Sequence, residues 1–231
     1  MMHLRARALA LALSISMSTY ATAGRPLQAE DAGVLESTAC EVEAATSGLR
    51  KTGAPSMAAQ GLQLGCGIGA QSQLALALSR SRSAGVSEPA ARLGGKTRLW
   101  SASDAGAVFT LAWGLSAARA AGDSWRYSGL DLGAVFSTPL GGATLHANLG
   151  HLFDKAARTA ATRWAAAWEA DAINGWAPMA EVFGDDRSAP WWNLGLRYTA
   201  IADKWYFDLS CGQQIASTRP RLATAGLKWA F

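Results

Sequence analysis

Histidine is nearly absent from this chain, with three residues in 231, and its three cysteines form no Cys-x-x-Cys pair. Close-spaced His/Cys sets are what a structural zinc site needs, so neither a metal nor a cofactor is expected. Charged residues are sparse, at 16%. The formal net charge is only +4, and Arg5 and Arg7 of that excess sit in an amino-terminal leader. No Lys/Arg cluster tracks a surface, which sets nucleic acid aside as a partner. Beyond the leader there is no uninterrupted apolar run of helix-spanning length. The uncharged run Leu132–Phe153 carries Pro139 and Gly141-Gly142 in its middle, so it reads as two strands and a turn. Glycine and tryptophan, by contrast, are plentiful, at 24 and 10 residues. That balance suits a close-packed wall of small residues with aromatic girdles.

The leader has the three parts of a secretory signal: Arg5 and Arg7, the apolar stretch Ala8–Met17, and the small-residue site Ala21-Thr22-Ala23. Its apolar core is shorter than the ~20 residues of a spanning helix. The expected organisation is a signal peptide over 1–23, a periplasmic segment over 24–38, and one β domain over 39–231. At the other end, Leu227, Trp229 and Phe231 alternate with Lys228 and Ala230, a period of two. This strand resembles the carboxy-terminal strand of bacterial outer-membrane β-barrels, whose final Phe is read by the barrel-assembly machinery. The resemblance makes Phe231 and Trp229 the expected assembly signal. It makes that machinery and outer-membrane lipids the expected partners, in a Gram-negative outer membrane.

Between these ends the chain is a string of alternating segments separated by Gly-, Pro- and Asp-rich breaks. The strands expected are 39–48, 56–66, 72–81, 89–99, 107–118, 125–138, 142–152, 159–170, 176–184, 190–200, 204–213 and 221–231. Spacing this regular predicts an all-β, antiparallel, up-and-down transmembrane barrel of about 12 strands. Residues 156–172, rich in Ala, have helix propensity. They are read as strand, because a gap in a lipid-facing wall would strand backbone hydrogen bonds. Every expected loop is short. The segment 24–38 is the one stretch able to plug the lumen, the alternative being a free leader.

With Leu74, Leu76, Leu78 and their equivalents facing lipid, the opposite parity gives the lumen. The pore-lining candidates are Glu41, Glu43, Lys96, Arg98, Asp131, His146, Asn148, Arg163, Glu169, Glu181, Arg197, Asp208 and Lys228. Glu181, Arg197, Asp208 and Lys228 alternate in sign across the last four strands. They either line a water-filled pore or pair to seal it. Lys96 and Arg98 have no evident partner on the neighbouring strands, so they are candidates to meet an anionic or aromatic solute, or to reach water at the rim. Catalysis is not expected: His146 has no Ser two residues away to complete a nucleophile–base pair. In an oxidising compartment Cys40 and Cys66 can bridge the first hairpin. The alternative is that all three cysteines are small wall residues.

Several blocks, in order, carry a wider resemblance: Arg25-Pro26-Leu27, Glu30-Asp31-Ala32-Gly33, Ala39-Cys40-Glu41-Val42-Glu43, Gly94-Gly95-Lys96-Thr97, Ala180-Glu181-Val182-Phe183-Gly184 and Asn193-Leu194-Gly195-Leu196-Arg197-Tyr198. Together with Cys66 and the terminal strand they resemble the proteobacterial outer-membrane barrels named for the MetA pathway of phenol degradation. The chain departs from that pattern at Gly61–Gly65, where a more aromatic strand is the rule. The resemblance implies a porin-like transporter for passive uptake of small molecules, aromatic ones included. A closed structural or adhesion barrel is the alternative, and a lipid-modifying barrel enzyme a weaker third.

Overall fold

The computed structural model describes residues 26–102, 105–120, 123–155 and 157–231. The expected signal peptide lies outside the described residues. Among the described residues there are twelve strands: β1 Cys40–Arg50, β2 Met57–Gly69, β3 Ser72–Ser83, β4 Val86–Ser101, β5 Val108–Ala118, β6 Arg126–Pro139, β7 Ala143–Asp154, β8 Thr159–Ala170, β9 Trp176–Asp185, β10 Trp191–Ile201, β11 Trp205–Gln214 and β12 Arg221–Ala230. Each pairs with its sequence neighbours, and β1 pairs with β12 to close the barrel. Glu41 lies opposite Ala230 and Arg50 opposite Arg221 along this seam. Just past it, Cys40 and Phe231 exchange both backbone hydrogen bonds at 2.8 Å. A closed ladder has no edge, which is what a lipid-facing wall requires.

Local chemistry explains the strand ends. At Ala70-Gln71 and Ala84-Gly85 both central residues have positive φ, the geometry of two-residue hairpins whose twist matches that of their strands. That tight turning lets β2 run on to Gly69 and β4 begin at Val86, beyond the expected 66 and before the expected 89. The Ala-rich stretch is strand throughout β8. Trp164 lies opposite Leu149 and Trp168 opposite Leu145, so both indoles join the outer face. Helix propensity loses here because β7 and β9 each need a partner for their backbone groups.

The two faces differ sharply. Outside, Leu76 is 52% and Leu209 62% exposed; inside, Ala77 on the alternate parity is 4% exposed. Large apolar side chains exposed on this scale are at rest only against lipid. Aromatics gather on the outer face near the chain termini. Trp176 packs on Tyr198 at 4.6 Å, Trp205 on Trp229 at 5.7 Å, and Trp229 on Phe231 at 4.5 Å between ring centroids. Cys40 and Cys66 stand directly opposite in the β1–β2 register and are disulfide-bonded, while Cys211 is free and exposed on β11.

Residues 26–38 take the plug alternative: they run inside the barrel as a strap, with Leu27, Ala29 and Ala32 at most 2% exposed. The wall makes room for them. A Cβ on Gly67 would collide with the Glu36 carbonyl oxygen, and Ser37 forms a parallel bridge to Gly67 where the strap leaves the wall.

A second glycine accommodates a wall residue. Arg92 points inward from β4 and reaches Asp131 on β6 with its Nη2 at 2.5 Å and its Nε at 3.1 Å. Its guanidinium lies across Gly114, where any Cβ would overlap it. Gly114→Ala is therefore expected to cost about 1–3 kcal/mol from overpacking, read as a lower urea midpoint for the refolded barrel. The same substitution in an Arg92→Ala/Asp131→Ala background should cost almost nothing. An equal cost in both backgrounds would reject this account of Gly114.

Candidate functional site

An extended segment inside a lumen carries backbone donors and acceptors that its own chain cannot satisfy. The wall supplies side chains for them, one strand after another. Near the terminal end, Leu35 N–H donates to Gln73 Oε1 at 2.8 Å. Ala32 N–H donates to Ser137 Oγ at 2.8 Å, and Thr110 Oγ1 donates to the Ala32 carbonyl at 2.6 Å. Asn148 behaves like a strand partner: its Oδ1 accepts from Glu30 N–H at 2.6 Å, and its Nδ2 donates to the Glu30 carbonyl at 2.9 Å. Beyond it, the Glu181 carboxylate accepts from Gln28 N–H at 2.8 Å and Ala29 N–H at 2.9 Å, while Asn193 Nδ2 steadies it at 2.7 Å. Apolar packing completes the hold. Leu27 and Ala29 join a cluster with Ala165, Ala167, Ala177, Met179 and Phe183, against which Trp191 packs.

The lumen charges divide into local groups. Arg197 donates to Asp208 at 2.8 Å and to Glu169 at 3.0 Å. Lys228 is ion-paired to Glu41 and stands 3.8 Å from Glu43. Lys96 donates to the Asp31 carbonyl at 3.0 Å, with the Asp31 carboxylate 3.9 Å away. The expected row of Glu181, Arg197, Asp208 and Lys228 is thus broken up. Arg197 and Asp208 are directly opposed in register, but Glu181 faces Asn193 and Lys228 faces Glu43. Lys96 finds its partner on the strap, which strand-by-strand reading could not supply. Arg98 stands apart at the rim, its Nε 3.3 Å from Gln71 Oε1. Arg163 lies opposite Asp185 on β9.

Five further inward residues lie outside the expected set: Gln73, Thr110 and Ser137 hold the strap, Asn193 steadies its anchor Glu181, and Arg92 pairs with Asp131 within the wall. All five are buried and all lie on the inward parity. Parity was the signal that could have found them; being neutral, four of them do not stand out as chemistry. Ser137 is the most informative. It is the β-ladder partner of His146, its Oγ lies 2.8 Å from His146 Nδ1, and His146 Nε2 lies 3.6 Å from Glu169 Oε2. No serine lies two residues from His146 in the chain; the β6–β7 register supplies one from the adjacent strand. Ser137 is covered by the strap, whose Ala32 amide occupies its hydroxyl oxygen. In this arrangement the Ser–His–Glu series orders the strap.

The strap separates two spaces. At the barrel end remote from the termini lies a cavity of about 500 Å³, whose lining includes Leu27, Gln28, Arg163, Asp185, Phe183 and Trp191. The Phe183 and Trp191 rings stack there, 6.1 Å apart. Towards the termini a second cavity of about 270 Å³ is lined by Leu27, Ala29, Asp31, His146, Glu169, Arg197, Tyr206 and Lys228.

The family model described as "Uncharacterised conserved protein UCP029691" matches residues 10–231. No curated protein matches the sequence. Among solved structures, an outer membrane channel from Pseudomonas putida F1 is similar over 87% of this chain and 98% of its own, with TM-score 0.61 and 11% identity. The KdgM porin is similar over 82% of this chain and 99% of its own, with TM-score 0.59 and 10% identity. The translocator domain of the autotransporter NalP from Neisseria meningitidis is similar over 98% of both chains, with TM-score 0.54 and 13% identity. At these identities the likeness is one of fold: a closed, antiparallel outer-membrane-type barrel.

Glu181 holds two consecutive strap amides, and charge-assisted bonds of this kind contribute about 1.5–3 kcal/mol each. Glu181→Ala should therefore raise amide hydrogen exchange across residues 26–36 by at least about tenfold, leaving the β1–β12 seam protected. Unchanged exchange in the strap would remove Glu181 from the anchoring role.

Proposed function

The chain belongs to the family of that model, and from its lumen we propose that it is an outer-membrane channel for passive uptake of small molecules, with the strap as an internal gate. One observation carries the reading. The strap is hydrogen-bonded largely to wall side chains, and apart from its exit beside Gly67 it takes no part in the backbone ladder that closes the barrel. It can therefore leave the lumen without opening the wall, joining the spaces above and below it. In this reading residues 1–23 are removed on export, the chain begins at Gly24, and Phe231 with Trp229 addresses the barrel to the assembly machinery. With an even number of strands, this reading has both termini facing the periplasm and the larger cavity facing the outside.

Aromatic solutes fit this reading best. The stacked Phe183 and Trp191 rings face the larger cavity and offer a flat apolar surface, and the motif order resembling the phenol-degradation barrels points the same way. The second reading, a closed structural barrel, is favoured by the buried ion pairs of Arg197 and Lys228 in the terminal half.

Planar-bilayer recordings of the refolded mature protein and of a variant lacking 24–38 separate the two. The channel reading expects small or intermittent currents from the intact chain and steady conductance from the strapless one. A strapless barrel that folds, shown by heat-modifiable migration on a gel, and yet passes no current would leave only the structural reading.

A further inference from the structure

The outer wall is not uniform at the barrel end remote from the termini. Over one sector it carries the aromatics expected of an interface: Tyr127, Phe153, Trp164 and Trp192 point outward and are exposed. The cations beside them have partners within the protein. Arg126 pairs with Asp123 at 3.0 Å, Arg119 lies 5.8 Å from the Trp125 ring, and Lys155 lies 5.3 Å from the Tyr127 ring. Over β12, β1, β2 and β3 that end has no outward aromatic. Arginines stand there instead.

Arg50 and Arg221 are direct neighbours across the β1–β12 seam. On β3, Arg80 and Arg82 lie opposite Gln60 and Ala58 of β2. All four are exposed on the lipid-side parity, and Arg80 stands two residues beyond the outward Leu78. Among the described residues none of the four has a carboxylate partner within 4.0 Å. Arg80 Nε donates to Ser87 Oγ at 2.6 Å. Like charges placed directly opposite on a ladder are destabilising. Among the described residues no carboxylate offsets the Arg50–Arg221 pair, which leaves room for a compensating charge from the surroundings.

The surroundings specify that charge. Basic side chains on a lipid-facing wall are costly at midplane but nearly free at the interface, and these four begin where the leucine face ends. The group available at that level is the headgroup phosphate, which the guanidinium fork binds in bidentate fashion. We propose that the outer face of β12, β1, β2 and β3 at this end is a binding site for a phosphate-bearing lipid headgroup of the outer leaflet. The site rests on the reading of the chain as an outer-membrane barrel and is independent of whether the lumen conducts. It would seat the lipid across the seam where the first and last strands meet.

The test uses mature protein refolded into phosphatidylcholine vesicles, with and without added bisphosphorylated lipid A. Its comparison is the variant Arg50→Gln/Arg80→Gln/Arg82→Gln/Arg221→Gln. Both chains should fold in phosphatidylcholine alone, shown by heat-modifiable migration; failure of both to do so would overturn the membrane-barrel reading itself. Lipid A should raise the thermal midpoint of the native protein, and its apparent affinity for the variant should fall at least about tenfold, since four cations facing the anionic headgroup are removed. Dephosphorylated lipid A should give no shift with either chain. A variant that keeps the full lipid A response, or inorganic phosphate reproducing that response in the native protein, would overturn the proposed site.

Discussion

A wall in contact with lipid must satisfy every backbone N–H and C=O from within, and the rest of this structure follows from that constraint. It requires the ladder to close, and the β1–β12 seam does so, with Cys40 and Phe231 hydrogen-bonded just beyond it. It forces Ala-rich β8 into a strand against its own propensity. It also fixes the sense of the alternation: leucines and tryptophans go outward, alanines and polar residues inward.

The same constraint reappears in the lumen with a different solution. The strap has no strand beside it for most of its length, so wall side chains stand in for one. Asn148 imitates a ladder partner at Glu30, the Ser137 and Thr110 hydroxyls serve Ala32, and Glu181 takes two amides in succession. Backbone held in this way is satisfied but separable. A strap paired into the wall would be a thirteenth strand; this one is held by side chains, and the ladder closes without it. Most of the buried polar inner face is thereby explained without any solute, and the two cavities at its ends are what a solute would use.

The outer wall poses the complementary problem. Lipid tails ask only for apolar surface, which Leu62, Leu64, Leu74, Leu76 and Leu78 supply on the same sector that ends in arginine. A barrel of this kind is therefore recognised twice by its membrane: once by the aromatic belt near its termini, and once by charge at the opposite end of the seam sector.

Strand number, strand parity and the strand at Ala-rich β8 were legible in the sequence, because alternation has a period of two and needs only the neighbouring residues to be read. The inward placement of Glu41, Asp131, His146 and Arg197 follows from the same local rule. Partners do not. Whether Arg197 meets Asp208 or Glu181 depends on the stagger between strands; whether His146 meets a serine depends on which residue of β6 slides opposite it; and Lys96 is answered by Asp31, 65 residues away. Thus the sequence by itself determined which side of the wall each residue occupies. Only the tertiary structure decided how residues 26–38 cross the space inside and which wall side chains hold them, because those contacts join the start of the chain to strands throughout it, and no local period records them.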